Sequence, residues 1–175
     1  LGHEISRADH EKEVSTLRAG LLQAQRDLLE ARVPLILIVS GADGAGKSET
    51  VNRLHEWFDP RGLETNVFGP LSDEERDRPA YWRFWMSLPP RGRVGIFFGS
   101  WYTDPIIRRV YRKIGGAPFD RSLTRIEFFE QELAQDGALI VKVWLHLSKR
   151  AQKKRLRTLE KVPKTRWRLS PLDWK

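Results

Sequence analysis

The chain contains no cysteine. That rules out a disulfide framework and a thiolate metal site, and it points to a cytoplasmic protein. No apolar run reaches the length of about 18 residues that a membrane-spanning helix needs, so no membrane partner is expected. No basic-then-apolar leader opens the sequence, so no secretory signal is read. Internal repeats and low-complexity tracts are absent too. The four histidines, His3, His10, His55 and His146, have no mutual spacing suited to a metal, and no catalytic triad is legible from them. His146 falls in a buried-strand pattern and reads as a core residue. Acids are nearly missing from one segment. Residues 149–168 hold ten Lys/Arg and a single acid, Glu160, while the rest of the chain holds 21 basic and 22 acidic groups. The net charge of +8 is therefore local. That argues against a nucleic-acid binder with a broad basic face and for a confined polyanion contact.

What is present suits one compact domain. The 175 residues are 40% hydrophobic with seven Trp and eight Phe, enough for a real core. In residues 11–32, Val14, Leu17, Leu21, Ala24, Leu28 and Ala31 recur every three or four positions, one apolar helix face for the chain's own core or for another subunit or domain. "VPLILIVS" (33–40) is a near-continuous apolar run, as in a parallel strand covered on both faces. A glycine-rich loop follows, then a helix over 47–57, a turn at "DPRG" and a second strand over 63–69. "SDEERDRPAYWRFWMSL" predicts an acidic helix start and an aromatic helical stretch. "RVGIFF" (93–98) is the third strand, followed by a helical "DPIIRRVYRKI". Thr124 is placed as the cap of the next helix, which Gly137 stops. "ALIVKVWLHLS" (138–148) is the fourth strand, and a basic helix over 149–161 completes the alternation. The pattern predicts an α/β three-layer sandwich around a central parallel sheet. Ser170 and Pro171 look like the start of a further helix, so the chain reads as part of a longer protein.

"GADGAGKS" (41–48) fits G-x-x-x-x-G-K-[ST]. Gly41, Gly44, Ala45 and Gly46 let successive N–H groups surround phosphate oxygens, and the helix that starts there aims its positive end at the same anion. Lys47 reaches the phosphates and Ser48 can ligate Mg²⁺. Asp43 is odd in an anion cradle. It makes sense if a cation sits between acid and phosphate, and otherwise it is a solvated turn carboxylate.

"GADGAGKS", "PRG", "LPPRGRVGIFFGSWYTD", "HLSKRAQKKRL" and "RWRLSPLDW" together resemble the type-2 polyphosphate kinases, from about Leu17 to Trp174. The resemblance implies a P-loop kinase-like fold with a basic helical lid. It implies transfer of a terminal phosphate between inorganic polyphosphate and a nucleoside mono- or diphosphate, with Mg²⁺. Some members carry two such domains in tandem and are similar to AMP-phosphorylating enzymes, so a second homologous domain or a homo-oligomer is an expected partner. By this resemblance Asp43 and Lys47 are catalytic and Asp43 is a metal residue, which Ser48 of the loop pattern would join. The lid would bring Lys149, Lys153, Lys154, Arg155 and Arg157, with Arg166 and Arg168 in the following loop, over the phosphate chain. A solvated helix face is the alternative for that row. Trp167 could stack a base or simply pack, and Arg83 could point toward the phosphates.

The same resemblance exposes a departure. The family's second motif has an Asp and an Arg after its first Phe. Here "FFGSWYTD" puts Phe98 and Gly99 in those places and Thr103 where another acid belongs, while Ser100, Trp101, Tyr102 and Asp104 match. Losing an arginine that neutralises transition-state charge costs on the order of 10³-fold in rate. The sequence therefore points to polyphosphate-dependent phosphotransfer to a nucleotide, most simply AMP, with this domain catalytically impaired. A non-catalytic polyphosphate-binding half and an ATP-dependent small-molecule kinase are the alternatives. Residues 1–32 read as the N-terminal helix, 33–148 as the core and 149–175 as the lid segment.

Overall fold

The computed structural model describes residues 5–166. His3, Trp167, Arg168 and the expected helix start at Ser170 and Pro171 lie outside the described residues. Helix α1 (Arg7–Ala31) starts at Ser6, whose hydroxyl accepts from the Asp9 N–H at 3.1 Å. Its apolar stripe works only from Leu21 onward: Leu21 and Leu28 reach the core, whereas Leu17 and Leu29 stay exposed. The buried residue of this helix is polar. Gln25 accepts from the Asp59 N–H at 2.8 Å and donates to the Asp59 carbonyl at 2.9 Å.

Strand β1 (Leu35–Gly41) leads into α2 (Lys47–Trp57), a 3-10 turn (Pro60–Gly62) and β2 (Leu63–Val67). Two four-residue helices follow, α3 (Asp73–Arg76) and α4 (Trp82–Trp85), then β3 (Val94–Phe98), α5 (Thr103–Val110) and α6 (Gly116–Gln135). Strand β4 (Leu139–Leu145), α7 (Lys149–Lys161) and α8 (Pro163–Arg166) end the described chain. The sheet is wholly parallel in the order β2-β3-β1-β4, with Val39 of β1 paired to Phe98 of β3 and to Val143 of β4. Successive residues of β1 feed opposite layers. Leu35, Leu37 and Val39 pack with Val51, Phe58, Val94 and Ile96 on the α1/α2 side. Ile36 and Ile38 pack with Phe84, Phe97, Trp101 and Phe129 on the α4/α6 side. The predicted three-layer α/β sandwich is the fold.

Four local expectations give way. The aromatic stretch is split into α3 and α4: Ser72 and Glu75 form a capping box for the first, and Pro79 with Tyr81 at φ 65° breaks the chain before the second. Helix α6 starts at Gly116, eight residues before Thr124, because Pro118 falls in the first turn where no N–H is needed. Thr124 is inside the helix and its hydroxyl donates to the Asp120 carbonyl at 3.2 Å. His146 lies beyond the end of β4 and is exposed, so it is not a core residue. Arg166 sits in α8 and not in a loop.

Candidate active site

The order of the strands changes direction at β1, between β3 and β4, which is where open parallel sheets hold ligands at their C-terminal edge. The loop 41–48 emerges at that place. Gly41 has φ 143°, and a Cβ there would run into the Leu145 carbonyl oxygen, so only glycine lets the loop leave the sheet beside β4. The Ala42 N–H donates to that same carbonyl at 3.0 Å. Gly44 and Gly46 also have positive φ, and Gly46 is the residue from which α2 starts.

Within the loop, Lys47 is folded back. Its Nζ donates to the carbonyls of Gly41 and Ala42 at 2.8 and 3.2 Å and to Asp43 Oδ1 at 3.1 Å. Asp43 is thus neither an isolated turn carboxylate nor simply repulsive: the loop's own lysine balances it. The Ala45 N–H is used inside the loop, donating to the Ala42 carbonyl at 3.1 Å. Ser48 is exposed in the first turn of α2.

Helix α7 lies against this loop. Leu156, 3% exposed, sits 3.6 Å from where a Gly44 side chain would begin, and Gln152 donates to the Asp43 carbonyl at 3.0 Å. Arg155 is 3.9 Å from Glu49 of α2. The turns of a helix, about 100° per residue, put Gln152, Arg155 and Leu156 on one side. Arg150, Lys153, Lys154, Arg157 and Lys161 fall toward the other, where with Lys149 at the margin they line a shallow groove of about 760 Å³. The predicted row of cations is therefore split. Arg155 joins the loop, while Lys153, Lys154 and Arg157 face away from it.

The second motif forms the neighbouring turn. Phe98, at the end of β3, packs half-buried against the α1/α2-side core. Gly99 has φ 84°, and a Cβ there would lie 3.1 Å from the Phe68 carbonyl oxygen. Ser100 is buried, and its N–H donates to Thr103 Oγ1 at 2.9 Å, so the threonine closes the turn. Asp104 is turned outward onto Arg108 at 3.6 Å.

Two residues that the sequence reading missed anchor this turn. Glu130 of α6 accepts from Trp101 Nε1 at 3.0 Å and from the Tyr102 hydroxyl at 2.9 Å, and pairs with Lys142 of β4 at 2.7 Å. Lys142 also donates to the Tyr102 hydroxyl at 3.2 Å. Burial pushes the Tyr102 phenol up. Burial works to lower Lys142, but its bonds to Glu130 and Tyr102 prevail and raise it. A lone charge inside the apolar run "ALIVKVWL" was the signal that a partner must exist. Arg83, a candidate for the phosphates, has a structural place instead: 3.1 Å from Glu75, donating to the Gly69 carbonyl at 2.9 Å and lying over the Phe68 ring.

Among the described residues no group of three or more His, Asp or Glu side chains could hold a metal by itself. Asp43 and Ser48 offer one carboxylate and one hydroxyl. That set suits Mg²⁺, which keeps several waters and completes its shell from substrate phosphates.

A parallel sheet with a glycine loop leading from its first strand into a helix, and a lysine at the start of that helix, defines the P-loop class of phosphate-binding proteins. The chain belongs to the family described as Polyphosphate kinase 2 (PPK2), whose model matches residues 4–175. It is 50% identical over its whole length to a polyphosphate:AMP phosphotransferase of Pseudomonas aeruginosa, and covers 36% of that protein. It is 45% identical to a protein of the same description from Pseudomonas syringae, across 99% of this chain and 35% of the relative. A crystal structure of polyphosphate kinase 2 from Arthrobacter aurescens superposes with a TM-score of 0.89 at 32% identity, across 99% of this chain and 63% of that one. The chain thus spans about a third of the length of the first two relatives.

Proposed function

We propose that this chain is one domain of a polyphosphate:AMP phosphotransferase and that its own part is phosphate binding more than catalysis. Lys47 and the loop amides take the phosphates, swapping the Gly41 and Ala42 carbonyls that Lys47 now holds for anionic oxygens. Asp43, once released from Lys47, and Ser48 would hold Mg²⁺, which would supply charge neutralisation at the transferring phosphoryl group. In the transfer, the terminal P–O bond of polyphosphate breaks and a new P–O bond forms to a phosphate oxygen of AMP. ADP and a chain shorter by one unit result. Arg155 is the cation of α7 placed to share the load at the loop.

One observation carries the weakened-catalysis half of this reading. The turn beside an intact phosphate loop presents Phe98, half-buried against the core, and Gly99, which has no side chain to reach a phosphate. The same observation favours the second reading, a polyphosphate-binding half that leaves chemistry to another domain. The deciding experiment measures AMP phosphorylation by the 175-residue chain with polyphosphate or ATP as donor, beside Lys47→Ala and Phe98→Asp. Slow turnover from polyphosphate that Lys47→Ala lowers a further ~10²-fold and Phe98→Asp raises supports a weakened enzyme. Polyphosphate binding without turnover in any variant supports the binding half. Turnover from ATP and not from polyphosphate refutes both.

A further inference from the structure

The edge of the sheet opposite the phosphate loop carries a second recess. It is a groove of about 550 Å³ lined by Leu22, Arg26 and Leu29 of α1, by Arg61 in the 3-10 turn, and by Arg93 just ahead of β3. That volume is in the range of small-molecule sites. The single acid in its lining, Asp59, is already engaged: Arg61 donates to its carboxylate through Nε at 3.1 Å and Nη2 at 2.6 Å, which holds its carboxyl at about 2. Among the described residues Arg26 donates to the neutral side chain of Gln23, at 2.7 Å, and Arg93 to the Arg61 backbone carbonyl. Both guanidiniums keep spare donors, and among the described residues the one acid in the lining, Asp59, is already paired with Arg61. The walls are stiff. The buried Gln25 amide clamps the Asp59 backbone from α1, and Gly92 sits so close to α1 that a Cβ there would be 3.1 Å from Leu29 Cα.

We propose that this groove binds a small organic phosphate monoester, at a site separate from the phosphate loop. Arg26 and Arg93 take the phosphate, whose near-double negative charge at neutral pH matches two guanidiniums with planar donor pairs. Leu22 and Leu29 offer an apolar surface to the body that carries it. A bare phosphate would leave that surface unused, so the ester is the better ligand.

The test titrates the full ¹⁵N-labelled chain, with and without Lys47→Ala, with phenyl phosphate, inorganic phosphate and phenol, following backbone amides by NMR. Phenyl phosphate should shift Gly62 and Gly92 saturably in both forms and bind at least about fivefold more tightly there than inorganic phosphate. Phenol should give no saturable shift. Arg26→Gln, whose partner among the described residues is Gln23, should weaken phenyl phosphate about tenfold at Gly62 and Gly92 and leave the response of Gly44 and Gly46 unchanged. Arg93→Gln should do the same. Shifts confined to Gly44 and Gly46, or an Arg26→Gln titration like the wild type, would overturn the site. Phenol matching phenyl phosphate, or inorganic phosphate matching it, would overturn the ligand class.

Discussion

Gly99 decides what repair of the second motif can achieve. Its φ of 84° and the 3.1 Å approach to the Phe68 carbonyl mean that any side chain there strains the turn. Gly99→Ala should cost about 1–2 kcal/mol in chemical denaturation, and Gly99→Arg should cost at least as much. A double Phe98→Asp/Gly99→Arg variant would therefore confound charge with strain, so Phe98→Asp is read alone and against Phe98→Asn, which loses the same packing without adding the charge. Glu130 is the other residue with large leverage. It answers three donors, so Glu130→Ala leaves Lys142, Trp101 and Tyr102 without their acceptor. With Lys142 about half exposed, the loss should be about 1–3 kcal/mol. The same cluster sets an alkaline limit. Lys142 and Tyr102 both hold their protons more tightly folded than at their ordinary values of 10.5 and 10.0. Their stabilising contribution is complete below pH 10 and is lost as pH rises through the folded values. Denaturant midpoints should fall above about pH 10, less steeply in Tyr102→Phe. An unchanged slope in that variant would remove Tyr102 from the cluster's energetics.

At the scale of elements, strands and long helices were legible because burial imposes periodicity: β1, β2 and β3 are found within two residues of their apolar runs, and α2 and α7 match their expected spans. Short aromatic segments were not legible. In "YWRFW" the rings give an apolar density that reads as helix, but Phe84 alone is buried there while Trp85 is exposed, and Pro79 limits the turn. The site divides the same way. Loop 41–48 is a local motif and could be read directly, whereas the Glu130–Lys142 pair joins α6 to β4 and depends on register that no local pattern encodes. Helix α7 shows both cases. Its span was plain from Ser148 as cap, but which face meets the loop depends on Leu156 being its one buried residue. Leu156→Ala should therefore unseat α7 while leaving the sheet intact. Hydrogen exchange should quicken across 149–161 by tenfold or more, as expected for loss of about 2 kcal/mol of packing, with β1 and β3 unaffected. Uniform acceleration along the chain would mean that α7 is an integral part of the fold and not a seated lid.

At the scale of the whole molecule, the positive charge is concentrated in one segment but points two ways. Lys47 and Arg155 belong to the loop side, and Lys153, Lys154 and Arg157 belong to the opposite face of α7. A short polyanion seated at the loop can neutralise only the first pair. A long chain can leave the loop, pass around α7 and meet these two together with all six cations that line the outer groove of α7. Counterion release makes that difference measurable, because the logarithm of the binding constant falls with the logarithm of salt by about 0.7 for each cation engaged on a flexible single-stranded polyanion. Tripolyphosphate should therefore show a slope of about −1.4, and a polyphosphate of many tens of units about −5.6. Lys153→Gln with Lys154→Gln should flatten the long-chain slope by about 1.4 and leave tripolyphosphate untouched. Equal slopes for the two ligands would mean that the outer face of α7 takes no part and that its lysines serve solvation alone. A steep slope for tripolyphosphate would mean instead that α7 rotates on binding and brings its outer face to the loop. Fluorescence anisotropy across a salt series separates the three outcomes without requiring any turnover by the domain.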